Sequence, residues 1–356
     1  MNNKIKILFY APKAPPIGGI ATWFDLILSN KPESFDYDFI NSSVSLKRQK
    51  ANGILKKYLS YIEMSNQFKE LKKKISIFKP DILHIATSGK NGFLRDEKFI
   101  KYARRHGIKT VVHLHFGRTQ NLFSEKSFES QNMKRVFSLA DKIIAIDQIT
   151  YNALLANGYE KKATFIPNPI KSQSYSYNLN SKKIMFVGTL NKNKGIVELI
   201  SAFNLIDNKE YLLELYGPSD EEEEINNIIS SNTNPNIIFK GEVSHDSLMN
   251  VYQNYSFLIL PSYTEGMPYC ILEAMSFGVP VIATSVGNIP NMVCDNRMLI
   301  LPKSIEDLKH KILEYITNPA LRKELSMLSY KKTQSEFSIE SVVERMKKLW
   351  STLYEN

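Results

Sequence analysis

Cysteine is nearly missing: the 356 residues hold two, Cys270 and Cys294. Two thiols cannot staple a small secreted scaffold or build a four-cysteine zinc site, and they suit a reducing compartment. Long apolar runs are missing too. The run Ile5 to Tyr10 is broken by Lys6 and no small-residue cleavage site follows it. No stretch approaches the roughly eighteen apolar residues that a membrane helix needs. The expectation is a soluble cytoplasmic chain. No short-period repeat is found. What remains is an ordinary globular composition, 43% hydrophobic and 23% charged, at a length that suits two domains. Disorder, collagen and coiled coil are excluded.

The net charge of +10 is unevenly spread. Residues 1–170 carry 28 Lys+Arg against 14 Asp+Glu, and residues 171–356 carry 18 against 22. A basic half suggests an anionic partner: nucleic acid, anionic lipid or a phosphorylated substrate. A lysine- and asparagine-rich codon bias would give the same imbalance.

Short apolar runs alternate with helical patterns. Ile5–Tyr10 reads as a buried strand, followed by a Pro/Gly loop and then helical spacing over 20–28. Leu55, Tyr58, Leu59, Ile62, Phe68, Leu71 and Ile75 set an apolar stripe within 53–78, with lysines around it. Its first reading is a core-packed helix with lysines in water. Its second is a membrane-surface face. Strand patterns recur at 80–85, 110–115, 142–146 and 164–169, with a basic helix at 96–106. The polar run 171–180 reads as a linker, and the acidic run Glu221–Glu224 as a solvated helix start. The pattern then restarts: a strand at 183–187, a Gly loop, a helix near 196–203, and strands near 211–216, 237–240, 257–260, 279–283 and 298–301. Alternating strands and helices predict α/β domains with parallel sheets. Two in tandem leave a cleft, where ligands tend to bind.

The most informative segment runs from Pro261 through Glu265-Gly266-Met267-Pro268-Tyr269 to Glu273-Ala274-Met275. It leaves an apolar strand and enters a helix. Gly266 and Pro268 shape a turn at a helix N-terminus, which suits an anion or polyol. Two carboxylates eight positions apart can accept hydrogen bonds from two sets of sugar hydroxyls. Ala274 and Gly278 are small, which allows close helix packing. The second segment is Gly188-Thr189 to Lys194-Gly195, the third Gly18-Gly19, and the fourth His113-Leu114-His115. In a strand, both histidines share one face.

Together these segments resemble the retaining glycosyltransferases of the GT-B fold, family 4, over nearly the whole chain. Gly241-Glu242-Val243 with Tyr252, Gly278 to Pro290, and Ile166-Pro167-Asn168-Pro169 add to the likeness. The resemblance implies two Rossmann-like domains: residues 1–170 for the acceptor and 171–335 for the donor, with 336–356 as a helix crossing back onto the first. It implies transfer of a sugar from a nucleotide-sugar with retention of configuration. No metal and no cofactor besides that co-substrate is implied. Glu273 would lie on the ribose, and Glu265 and His115 at the reacting sugar. Gly266, Met267 and Tyr269 would offer backbone N–H groups while Pro268 shapes the turn. Gly18 and Gly19 would line the donor from the first domain. His113 reads as a deeper core residue. Gly188, Thr189 and Lys194 would hold the diphosphate. The family usually has Arg where Thr189 stands, so Lys194, Lys192 or Arg118 must supply that charge.

The expected donor is a UDP-sugar, with a GDP-mannose donor as the alternative. The expected acceptor is a glycan or lipid-linked glycan of capsule, exopolysaccharide or lipopolysaccharide, with peripheral contact to anionic membrane at the inner face. A dinucleotide-dependent oxidoreductase is disfavoured, because neither Gly loop gives Gly-x-Gly-x-x-Gly with an acidic residue about 20 positions on. Nucleic acid is not an expected partner, since no recognised binding module accompanies the basic half.

Overall fold

The computed structural model describes residues 4–13, 19–49, 51–219 and 223–355. They form two compact units, Met1–Pro169 with Ile339–Asn356, and Ile170–Ser338.

The first unit holds a six-stranded parallel sheet: β1 (Ile5–Ala11), β2 (Phe35–Asn41), β3 (Ile82–Thr87), β4 (Lys109–Leu114), β5 (Lys142–Ala145) and β6 (Ala163–Phe165), in the order β2-β1-β3-β4-β5-β6. Parallel neighbours need crossover segments, and helices supply them. Covered on both faces, β1 and β3 are apolar at consecutive positions rather than at alternate ones. Leu8, Tyr10, Leu83, Ile85, Val112 and Leu114 join the core cluster that includes Phe93, Phe99 and Phe137 from helices Gly92–Arg105 and Phe128–Leu139. The intervening positions of β1, β3 and β4 carry Phe9, His84 and His113. These pack with Trp23 of helix Gly19–Ser29, and Trp350 of helix Ile339–Glu355 packs on Phe9 and His84. Trp350 is fully buried, so truncating it would cost about 3–5 kcal/mol.

Two elements differ from the sequence expectation. No strand was expected at β2, because Asp36 and Asp38 interrupt its apolar pattern. As the edge strand it keeps those positions only half-buried, and Asp38 pairs with Lys74 at 2.5 Å. The helix spans Gly53–Phe78, but its apolar stripe is not core-packed throughout. Leu71 and Ile75 are buried and Phe68 meets Phe99, whereas Ile54, Leu55, Tyr58 and Tyr61 are 87%, 56%, 60% and 66% exposed.

The second unit repeats the architecture with β7 (Lys183–Val187), β8 (Leu212–Tyr216), β9 (Ile237–Gly241), β10 (Phe257–Leu260), β11 (Val281–Thr284) and β12 (Leu299–Ile300), all parallel, in the order β12-β11-β10-β7-β8-β9. The strand order reverses between β7 and β10. In open α/β sheets the crevice at such a switch point receives ligands at the carboxyl ends of the strands.

The run 171–180 is not a free linker. Tyr175 donates to or accepts from Ser326 at 2.9 Å, Tyr177 donates to the Ser256 carbonyl at 2.9 Å, and Tyr330 donates to the Gln173 carbonyl at 3.0 Å. Three tyrosine hydroxyls thus fasten it to the second unit. Gly278 makes room for this strap as well as for a neighbouring helix: a Cβ there would lie 2.6 Å from the Tyr175 ring and 3.2 Å from Ser326 Oγ of helix Pro319–Lys332. Of the acidic run, Glu223 opens helix Glu223–Ser231, and Glu221 and Glu222 lie outside the described residues.

Candidate functional site

The loops after β7 and β10 meet at the switch point of the second sheet. After β7, the Asn191 side chain accepts from the Lys194 N–H at 3.0 Å and closes a single tight turn, Lys192–Lys194. Gly195 follows with φ +69°, and a Cβ there would lie 2.1 Å from the Pro261 carbonyl oxygen. Only glycine lets the two loops approach so closely. That approach carries Lys194 to Glu265, Nζ to Oε1 at 2.6 Å, and Ser262 donates to the same oxygen at 2.7 Å. Further contacts fix the Glu265 backbone. Tyr263 N donates to Asn193 O at 2.8 Å, Thr284 Oγ1 to Ser262 O at 2.6 Å, and Asn288 N to Gly266 O at 3.3 Å. Gly287, at φ +51°, lies so close that a Cβ would fall 1.8 Å from the Glu265 carbonyl oxygen.

Lys194 is therefore not a lone cation; it neutralises Glu265, whose side chain is only 9% exposed. Gly188, at φ +155°, donates its N–H to Tyr216 O at 2.9 Å, and Thr189 follows it, ahead of the Lys192–Lys194 turn. Gly266, Met267 and Pro268 lead into helix Tyr269–Ser276, with Pro268 at its cap position. The Tyr269 hydroxyl is buried without a hydrogen-bond partner.

Glu273 points from that helix into a second buried cluster. Its Oε2 accepts from Tyr252 at 2.6 Å and its Oε1 pairs with His245 Nε2 at 2.8 Å. The hydrogen bond to Glu273, ahead of the opposing desolvation, raises the His245 pKa. Burial raises that of Tyr252. A carboxylate has about four lone-pair sites, so Glu273 retains acceptor capacity beyond these two bonds. Sequence reasoning missed His245. Its sole signal was a histidine at the start of the helix that follows Gly241-Glu242-Val243.

In the first unit the notable edge lies after β3 and β4. His115 follows β4, and its ring packs on His113 at 4.2 Å and on Trp23 at 4.9 Å. His113 is fully buried and bonds His84, Nδ1 to Nε2, at 3.2 Å. Sequence reasoning missed His84. Burial drives the pKa of His84 and of His115 down to about 3 and lowers that of His113 well below normal. All three are neutral imidazoles at pH 7, so His115 is present as a polar group rather than a cation. Arg118 is engaged by Glu129 through two bonds, at 2.8 and 2.5 Å, and the Lys90 N–H also bonds Glu129. Gly19 opens helix Gly19–Ser29, and Gly18 lies outside the described residues.

Residues 30–174 match the Glycosyltransferase Family 4 model, and residues 168–332 match the model of glycosyl transferases group 1. Between them the two glycosyltransferase models cover residues 30–332. Anabaena Alr3699/HepE, solved in complex with UDP, superposes over 98% of this chain and 100% of its own, with a TM-score of 0.73 at 16% identity. The fold is GT-B. Among curated proteins, an uncharacterized glycosyltransferase of Methanocaldococcus jannaschii is 33% identical over 217 residues, and the capsular polysaccharide biosynthesis glycosyltransferase CapM of Staphylococcus aureus is 27% identical over 228. Each match spans 60% of this chain and 60% of the relative. The GT-B framework accounts for the paired sheets, and the switch point of the second is where Lys194 meets Glu265.

Proposed function

We propose that the protein transfers a sugar from a UDP-sugar to a glycan or lipid-linked acceptor of a cell-surface polysaccharide, with retention of configuration and without a bound metal. The second unit takes the donor and the first takes the acceptor. The observation that carries this reading is the Lys194–Glu265 pair, held by two loops at the β7/β10 switch point. Negative charge grows on the diphosphate as its bond to the sugar breaks. A lysine already positioned at the loop meets that charge by exchanging Glu265 for the phosphate. As the phosphate draws on Lys194, the Glu265 carboxylate is released toward the sugar, where positive charge develops. Ser262 remains bonded to Glu265 and keeps it oriented. Glu273 holds the ribose, and His115 presents a neutral imidazole to the sugar. The UDP in the Anabaena structure and the capsule role in the name of the Staphylococcus aureus relative support the donor and the product class.

The exposed residues Ile54, Leu55, Tyr58 and Tyr61 lie on the first turns of helix Gly53–Phe78, beside the exposed Lys56 and Lys57. An apolar patch edged by lysines fits the surface of an anionic membrane, where a lipid-linked acceptor resides. No helix among the described residues is long and apolar enough to cross a membrane.

The deciding experiment is thermal stabilisation by UDP, GDP, ADP and NAD with chelator present, followed by UDP release from a panel of UDP-sugars. A ligand that binds only the folded chain raises its melting temperature. A shift with UDP alone supports the reading, GDP would change the donor, and NAD alone would overturn the reading. The anomeric proton signals of the product, followed by NMR, test retention.

A further inference from the structure

Three histidines and two tryptophans meet on one face of the first sheet. The Trp350 indole N–H bonds His84 Nδ1 at 3.2 Å, and His84 Nε2 lies 3.2 Å from His113 Nδ1. An indole nitrogen can only donate, so His84 Nδ1 must accept. A neutral His84 then carries its proton on Nε2 and donates it to His113. His113 Nδ1 is in turn an acceptor, and its own proton sits on Nε2. One donor on the C-terminal helix thus dictates the state of two imidazoles in succession.

The consequence falls on His115. A second proton could enter His84 only at Nδ1, which would break the indole bond. It could enter His113 only at Nδ1, which would break the bond from His84. Both imidazoles are fully buried, so each broken bond would strand a polar atom away from water. The His115 ring packs against His113, and its Nε2 is buried with no partner; so is the Nε2 of His113, the end of the relay.

We propose that Trp350 and His84 are positioning residues of the transfer site: they lock His84 and His113 as neutral Nε2–H tautomers and leave His115 as the one imidazole of the three whose tautomer a bound ligand sets. The inference rests on the reading of His115 as a group at the reacting sugar. It selects His115 over His113 for that role on hydrogen-bond direction alone.

The test is a long-range proton–nitrogen correlation spectrum of the histidine rings in the full-length, nitrogen-15-labelled protein at pH 7. The wild type should show His84 and His113 as single Nε2–H tautomers. In Trp350→Phe, which keeps an aromatic ring and removes the donor, both should become mixtures. His84→Leu should release His113 to a mixture. His84→Gln should keep it locked, because an amide can accept from the indole and donate to His113 at once. UDP release from the sugar donor panel should fall in His84→Leu at unchanged donor KM, and recover in His84→Gln. An Nδ1–H form of His84 or His113 in the wild type, or a His113 spectrum indifferent to His84→Leu, would overturn the proposal. Full transfer by His115→Ala would instead sink the reading of the site, leaving the tautomer lock to stand as structure alone.

Discussion

Lowering the pH from 7.5 to 5.0 should strip much of the stability from the first unit. His84 and His115 have folded-state pKa values of about 3 against an ordinary 6.5, because burial disfavours the cation. As pH falls below 6.5, the unfolded chain takes up protons that the folded chain refuses. The stability these groups contribute is present above pH 6.5 and is lost progressively toward pH 3. At pH 5.0 each such histidine costs about 2 kcal/mol, hence about 4 kcal/mol for the pair. His113 shifts in the same direction and adds to the loss. A typical domain has about 5–15 kcal/mol in total. Glu63 is held below its ordinary 4.5, so its stabilisation is lost only at lower pH than this window covers. Asp147 is raised by burial and acts in the opposite sense, with its penalty relaxing as pH falls.

The assay is urea unfolding followed by tryptophan fluorescence. The chain has two tryptophans, Trp23 and Trp350; both lie in the first unit and both pack on His84. The signal therefore reports the unit that holds the histidines. With a urea slope of about 2–3 kcal/mol per molar, a loss of about 4 kcal/mol moves the midpoint down by roughly 1.5 M. A midpoint that moves by less than about 0.3 M would refute the reasoning, because the histidines would then be solvated or already protonated in the folded chain. His245, raised by Glu273, contributes stability below pH 6.5 that fades as pH rises through its folded value. It belongs to the second unit, where no tryptophan reads it.

Further outcomes follow from the site. Lys194→Met leaves the Glu265 carboxylate with Ser262 alone and should cost about 1–3 kcal/mol of stability; pairing it with Glu265→Gln should recover part of that, and strict additivity in chemical denaturation would contradict the ion pair. Glu265→Ala should reduce sugar transfer by roughly 10²–10³-fold with the fold retained, read as UDP release and circular dichroism, and near-full activity would remove Glu265 from the site. Gly287→Ala must push the Glu265 backbone away, so both the melting temperature and its shift with UDP should fall; a wild-type response to UDP would show the loop to be unimportant for binding. Ile54→Glu with Tyr58→Glu should abolish co-sedimentation with phosphatidylglycerol vesicles and leave the melting temperature unchanged, since both side chains are already exposed; equal binding by variant and wild type would discard the membrane face.

The strands with uninterrupted apolar runs were legible in the sequence because burial on both faces admits nothing else. β2 was not: Asp36 and Asp38 are affordable only because it is an edge strand, and edge position is a property of the sheet order. The helix at 53–78 was legible as a helix but not as one buried over half its length. Periodicity reports which residues share a face, and the elements packed on it, β2 and helix Gly92–Arg105 among them, decide how far along that face is covered. The run 171–180 looked like a linker because polar residues dominate it. What fastens it is three tyrosine hydroxyls whose partners lie up to 157 positions away.

The candidate site divides in the same way. Glu265, Glu273 and Lys194 could be singled out from their motifs, but Lys194 and Glu265 are 71 positions apart, and nothing in either segment says that they neutralise each other. That follows from the strand order. β7 and β10 are parallel neighbours at the place where the strand order reverses, so the loops after them emerge side by side. Gly195 and Gly287 then take on a meaning that spacing alone does not carry. Each is the position where a second loop passes too close for a side chain, at Pro261 in one case and at Glu265 itself in the other. The glutamate's own backbone is approached by Gly287, while Gly195 brings the Lys194 turn against Pro261, four residues before Glu265. The Gly287 backbone contact and the Ser262 hydrogen bond hold Glu265 independently of its lysine.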